Sequence, residues 1–167
     1  MSEHPVFSAD PLLRALVGSR VEFVVIGGLA AQAHGSPLIT EDLDICFDLD
    51  RDNLDRLASV LQDLAAIRRG MPDGVRLPPL DRPALRASDL LTLRTRYGDL
   101  DLLARPEPGL DYQQIRSRAV RFSFDGLEVW IAALSDIIAM KRAAGRPKDL
   151  LAIEHLGALR EEIDRRG

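Results

Sequence analysis

Cysteine is almost missing from this sequence: Cys46 stands alone. One thiol cannot build a disulfide framework or a cysteine-based zinc site within the chain. Lysine is nearly as scarce, with Lys141 and Lys148 set against twenty arginines. No apolar run approaches the roughly 18 residues a membrane helix needs. The opening residues, MSEHPVFSAD, carry neither a basic region nor an apolar signal core, so a cytoplasmic protein with no membrane association is expected. Repeats, linkers and low-complexity stretches are also missing. A single domain over residues 1–167 is therefore expected.

What is present is an ordinary folding composition, 46% hydrophobic and 29% charged with a net charge of -4. That is enough apolar material for one core, and disorder is excluded. The charge is unevenly spread. Residues 1–65 carry 4 bases and 11 acids, whereas residues 66–121 carry 11 bases, all arginine, and 7 acids. An arginine-rich middle suits paired hydrogen bonds to phosphate, or else forms a solvated surface. An acidic first third argues against broad, non-specific nucleic-acid binding.

Periodicity and turn chemistry predict the elements. Asp10, Pro11 and Gly18 bracket a short helix, and VEFVVIGG reads as a buried strand over 22–26 ending in a glycine pair. LAAQAHG predicts a second short helix closing at Gly35, DLDICF a strand, and DRDNLDRLASVLQDLAAI an amphipathic helix. RRGMPDGVRLPPLDRP, rich in proline and glycine, predicts loop with one short edge strand at most. DLLTLRTRYGDLDLLA predicts two strands turning near Tyr97 and Gly98. A short helix over 110–118 follows, then a hairpin turning at Asp125-Gly126, then two helices broken at Gly145 to Pro147. The fold class expected is α/β: a mixed β-sheet with flanking helices and a C-terminal helical segment.

The strand PLITEDLDICFD holds the informative anomaly. Alternation puts Asp42, Asp44 and Cys46 on one face and Leu43, Ile45 and Phe47 on the other. Two carboxylates in a half-buried setting repel each other, and they either take up a proton or hold a cation. Oxygen donors without histidine or paired sulfur favour Mg²⁺ or Mn²⁺. Cys46 reads as core filler. Asp101, flanked by Leu100 and Leu102 in a second strand, is a third candidate ligand, and three such aspartates suit phosphoryl-type transfer. Asp99 shares its face but reads as solvated. Gly27-Gly28, between a strand and a helix, leaves backbone amides free for a phosphate. His34 reads as a surface or capping residue.

An apolar strand, Gly27-Gly28, a spacer, then Asp42-Leu43-Asp44-Ile45 resembles the signature of the DNA polymerase β-like nucleotidyltransferase superfamily. The segment DIIAMKRAAGRPKDLLAIEHL is similar to the AbiE-type toxin nucleotidyltransferases of toxin–antitoxin systems. The resemblance spans about residues 20–157. It implies a nucleotidyltransferase fold and transfer of a nucleoside monophosphate from an NTP to an acceptor hydroxyl, with release of pyrophosphate. On this resemblance Asp42, Asp44 and Asp101 are the Mg²⁺ (or Mn²⁺) ligands, and Asp101 also helps to activate the hydroxyl. Gly27 and Gly28 form a loop against the triphosphate, Lys141, Arg146 and Lys148 face phosphate or substrate, and Asp149 positions one of them.

Many relatives have Gly-Ser where this chain has Gly27-Gly28, which leaves Ser36 or Thr40 to supply a hydroxyl. Many close relatives also carry an arginine where this chain has Leu38. The toxin likeness implies a tRNA 3′ end as acceptor and a cognate antitoxin protein as partner. Two other readings stay open: transfer to an aminoglycoside-like small molecule or to a protein side chain, and a non-catalytic binding relative.

Overall fold

The computed structural model describes residues 4–167. In chain order the elements are α1 (Ala9–Gly18), β1 (Phe23–Ile26), α2 (Gly27–Ala33), β2 (Asp42–Phe47), α3 (Arg51–Asp63), β3 (Ile67–Arg68), α4 (Arg82–Ala87), β4 (Leu90–Thr95) and β5 (Gly98–Leu103). There follow α5 (Tyr112–Arg118), β6 (Val120–Phe124), β7 (Leu127–Ile131), α6 (Leu134–Ala144) and α7 (Pro147–Arg166). The seven strands form one mixed sheet in the order β3-β4-β5-β2-β1-β7-β6. The expected class, a mixed sheet with flanking helices and a C-terminal helical segment, is what the chain adopts.

The centre of the sheet decides the rest. β2 runs antiparallel to β1 and parallel to β5. Its apolar face, Leu43, Ile45 and Phe47, is fully buried in one core with Leu100 of β5, the α1 leucines Leu12, Leu13 and Leu16, and Leu54, Leu57 and Leu61 of α3. Each buried leucine there contributes roughly 2 kcal/mol of transfer free energy. A one-residue slip of β2 would drive Asp42 and Asp44 into that core, so the register is fixed by the leucines. The β6–β7 hairpin turns as expected at Asp125-Gly126, with φ of 46° and 79°, the conformation this dipeptide favours.

The differences from expectation lie at element ends and in the proline-rich segment. Ser8, not Asp10, occupies the N-cap of α1. Asp10 lies inside the first turn and pairs with Arg14 at 3.0 Å. Gly18 is the last helical residue and Ser19 the cap. Helix α4 was not expected, although Asp81 caps it by accepting from the Ala84 amide and Pro83 sits in its first turn.

Candidate active site

The parallel pairing of β2 with β5 sets Asp42 opposite Asp99 and Asp44 opposite Asp101. Asp42, Asp44 and Asp101 each offer an oxygen, all within 4.8 Å of one another. Such crowding has an electrostatic cost. Burial, together with the charges of Asp42 and Asp101, pushes Asp44 up to about 7, against the pull of Lys141 and Arg69. Asp101 is also raised, by burial first, with Arg69 opposing and Asp42 adding. Three close carboxylate oxygens from two rigid strands fit a hard divalent ion such as Mg²⁺ or Mn²⁺.

The glycine pair serves those carboxylates directly. Ile26, the last residue of β1, pairs with Asp44, so the next residue lies against the Asp44 side chain. A Cβ on Gly27 would come within 2.1 Å of Asp44 Oδ2, and its φ of +67° is itself one that disfavours a side chain. A Cβ on Gly28 would meet Thr40 Cβ and Oγ1 at 2.8 Å. The two glycines open α2 and do not form a loop, because the helix begins directly at the end of β1. Thr40 Oγ1 donates to Asp42 Oδ1 at 3.0 Å and lies 3.1 Å from the Asp42 carbonyl oxygen. The hydroxyl of Ser36 accepts from the Leu38 amide at 3.3 Å.

The cations come from the α6–α7 junction. Gly145, left-handed at φ 64°, ends α6, and Arg146 and Pro147 start α7. Asp149, in the first turn of α7, is 1% exposed. It accepts from Arg146 N at 3.2 Å and Nε at 2.7 Å, and lies 3.7 Å from Lys141 Nζ. Burial alone would raise its proton affinity. The hydrogen bond and charge of Arg146, with the charge of Lys141, outweigh that and hold the carboxyl below its ordinary value. Asp149 thus positions two cations where one was expected. Lys148 is exposed and makes no ion pair among the described residues.

All eleven predicted site residues line one cleft of about 480 Å³, with the carboxylates on its sheet wall and the cations on its helical wall. Leu38, Ile39, Met140 and Leu151 supply apolar parts of the rim. His34 caps α2, and its Nε2 lies 2.8 Å from the Ala132 carbonyl oxygen.

Two features were missed. Asp99 is half-buried and paired, not simply solvated: Arg69 Nη1 reaches its Oδ2 at 2.7 Å and Arg94 Nε its Oδ1 at 3.2 Å. Arg69, just beyond β3, also donates through Nη2 to Asp101 Oδ1. The only available signal was an arginine pair before Gly70, which does not reveal a reach across β4 to β5.

No protein-family model matches the chain, and no curated protein is similar to it in sequence. Solved structures are similar in fold. The lincosamide antibiotic adenylyltransferase LnuA, bound to lincomycin, is 16% identical with a TM-score of 0.59, over 92% of this chain and 99% of that one. A candidate nucleotidyltransferase from Thermotoga maritima is 15% identical with a TM-score of 0.55, over 99% of both chains. ANT(2'')-Ia, in complex with adenylyl-2''-tobramycin, is 14% identical with a TM-score of 0.54, over 93% and 94%. At these identities the likeness is one of architecture: the chain has the nucleotidyltransferase fold.

Proposed function

We propose that this chain transfers a nucleoside monophosphate from an NTP to an acceptor hydroxyl, releasing pyrophosphate. One observation carries the reading. Three clustered carboxylates face Lys141, Arg146 and Lys148 across a single cleft, which is the charge pattern a metal-bound triphosphate requires. A divalent ion, held by Asp42 and Asp44 with Asp101 in reach, would polarise the α-phosphoryl group and offset the charge that builds on it. Asp101 accepts the proton of the acceptor hydroxyl. The hydroxyl oxygen bonds to the α-phosphorus as the bond to the bridging oxygen of pyrophosphate breaks. Lys141 and Arg146, held by Asp149, meet the negative charge of the leaving group. Gly27 and Gly28 let Asp44 and Thr40 stand close to the phosphates, and Thr40 or Ser36 supplies the hydroxyl that a Gly-Gly pair lacks.

The acceptor divides the reading. A tRNA 3′ end, with the chain acting as a toxin restrained by an antitoxin protein in the cytoplasm, follows from the toxin-like C-terminal segment. A small hydroxyl-bearing molecule is favoured by a specific observation. Of the eleven arginines in residues 66–121, Arg69, Arg82, Arg94, Arg105 and Arg118 are engaged by carboxylates of the chain itself, and Arg116 and Arg121 lie over Trp130. Five of those eleven charges are thus offset within the chain, which leaves less for an RNA backbone. Antibiotics fill the acceptor role in LnuA and ANT(2'')-Ia, which share the fold.

The test incubates the protein with Mg²⁺ and each α-labelled NTP, offering total tRNA, lincomycin and tobramycin separately. Label on a small molecule supports that acceptor class, and label on RNA supports the toxin reading. Label on neither, or label that persists with Asp42→Ala/Asp44→Ala, removes both.

A further inference from the structure

The third carboxylate is already engaged by a cation of the chain. Arg69 leaves β3 with its amide donating to the Thr92 carbonyl at 2.9 Å, and Thr92 pairs with Asp101 in the β4–β5 register. From that anchor the guanidinium spans Asp99 and Asp101, one nitrogen to each. Its Nε is buried without a partner, so the side chain gives up one hydrogen bond to hold this position. Arg94 binds the other oxygen of Asp99. The sheet face thus carries four carboxylates, Asp42, Asp44, Asp99 and Asp101, and two guanidiniums. With all four ionised, two negative charges remain on the sheet face itself, which one divalent ion at Asp42 and Asp44 offsets. A second ion touching Asp101 would lie beside a fixed guanidinium, and like charges at such separations repel strongly even at an effective dielectric constant of about 20.

We infer that Arg69 is a positioning residue that takes the place of a second divalent ion at Asp101, so that the site binds one ion with the nucleotide and not two. The inference rests on the nucleotidyl-transfer reading. Asp42 and Asp44 hold that ion, while Arg69 fixes Asp101 with an oxygen directed at the acceptor hydroxyl. The rigid fork of arginine suits this role, since it engages two carboxylates at once from one direction.

The experiment counts Mn²⁺ per bound nucleotide. The protein, in excess, is mixed with the α,β-methylene analogue of each NTP in turn. Free Mn²⁺ is read by electron paramagnetic resonance, and analogue binding by equilibrium dialysis. The wild type is expected to hold one Mn²⁺ per bound analogue, Arg69→Gln two, and Arg69→Lys, which restores a cation, one again. Two ions in the wild type, or one in a folded Arg69→Gln, overturns the inference and leaves nucleotidyl transfer standing. Failure of the wild type to bind any analogue overturns the transfer reading, and this inference with it. The wild-type count decides even where Arg69→Gln does not fold, which circular dichroism checks.

Discussion

Asp44 and Asp101 stand directly opposite each other on adjacent parallel strands. Burial of Asp44, together with the charges of Asp42 and Asp101, sets its proton affinity near neutrality. A folded state that keeps this proton up to about pH 7, against an ordinary value of 3.8, loses stability as pH rises between those two values. In chelator, the melting temperature of the wild type is therefore expected to fall across that window. Asp44→Asn removes Asp44's share of the dependence, leaving that of Asp101, and melts roughly 5 °C higher than wild type at pH 8. Mg²⁺ should restore the wild type at pH 8 and leave Asp44→Asn unmoved. Thermal melts with and without EDTA check both.

The close approach of Gly27 to Asp44 makes a single methyl group decisive. Gly27→Ala puts a carbon where Asp44 Oδ2 stands, at a φ that favours glycine. A loss of about 2 kcal/mol in stability is expected, with at least tenfold weaker Mn²⁺ binding because Asp44 must move. Gly28→Ala displaces Thr40 instead, and should affect nucleotide affinity more than the ion. Urea unfolding and Mn²⁺ titration of the two variants separate these effects.

Asp149 ties the cationic wall together. Its depressed proton affinity contributes stability that is complete above the ordinary value near 4 and is lost as pH falls below it. Asp149→Asn should shift the acid-unfolding midpoint upward by a few tenths of a pH unit and lower stability at pH 7 by roughly 2 kcal/mol. The NTP KM should rise as well, since Lys141 and Arg146 lose their common anchor. Arg118→Ala removes a comparable ion pair to Asp136, outside the cleft, and should leave that KM unchanged.

Lys148 offers the opposite case. It lines the cleft yet is exposed and unpaired among the described residues, so Lys148→Ala should barely change the melting temperature. A fivefold to tenfold rise in the NTP KM is expected, reduced at high salt because an exposed charge is screened. Steady-state kinetics at two ionic strengths make the comparison.

The parts of the site that local patterning controls were readable in the sequence. Asp42, Asp44 and Asp101 stood out because each interrupts an apolar alternation, and a strand's period of two assigns its face without knowledge of the fold. Gly145 to Pro147 and Asp125-Gly126 were readable because their backbone conformations demand those residue types. Arg69 was not. Its partners lie 30 and 32 residues away, and nothing in RRGMPDG distinguishes it from Arg68, which turns to the Pro78 carbonyl. The pairing of Asp99 was unreadable for the same reason, since it depends on arginines arriving from β4 and from beyond β3. Helix α4 carried its signal in Asp81 and Pro83, but only six residues follow the cap in a proline-rich stretch.

On the proposed function the two aspartates of β2 hold a nucleotide-bound ion, and a crystal grown with Mn²⁺ and an α,β-methylene NTP tests that most directly. The expected result is an anomalous peak between Asp42 and Asp44, with triphosphate density running toward Lys141 and Arg146. Clear protein density with ordered nucleotide elsewhere, or with no ion at those carboxylates, would contradict it.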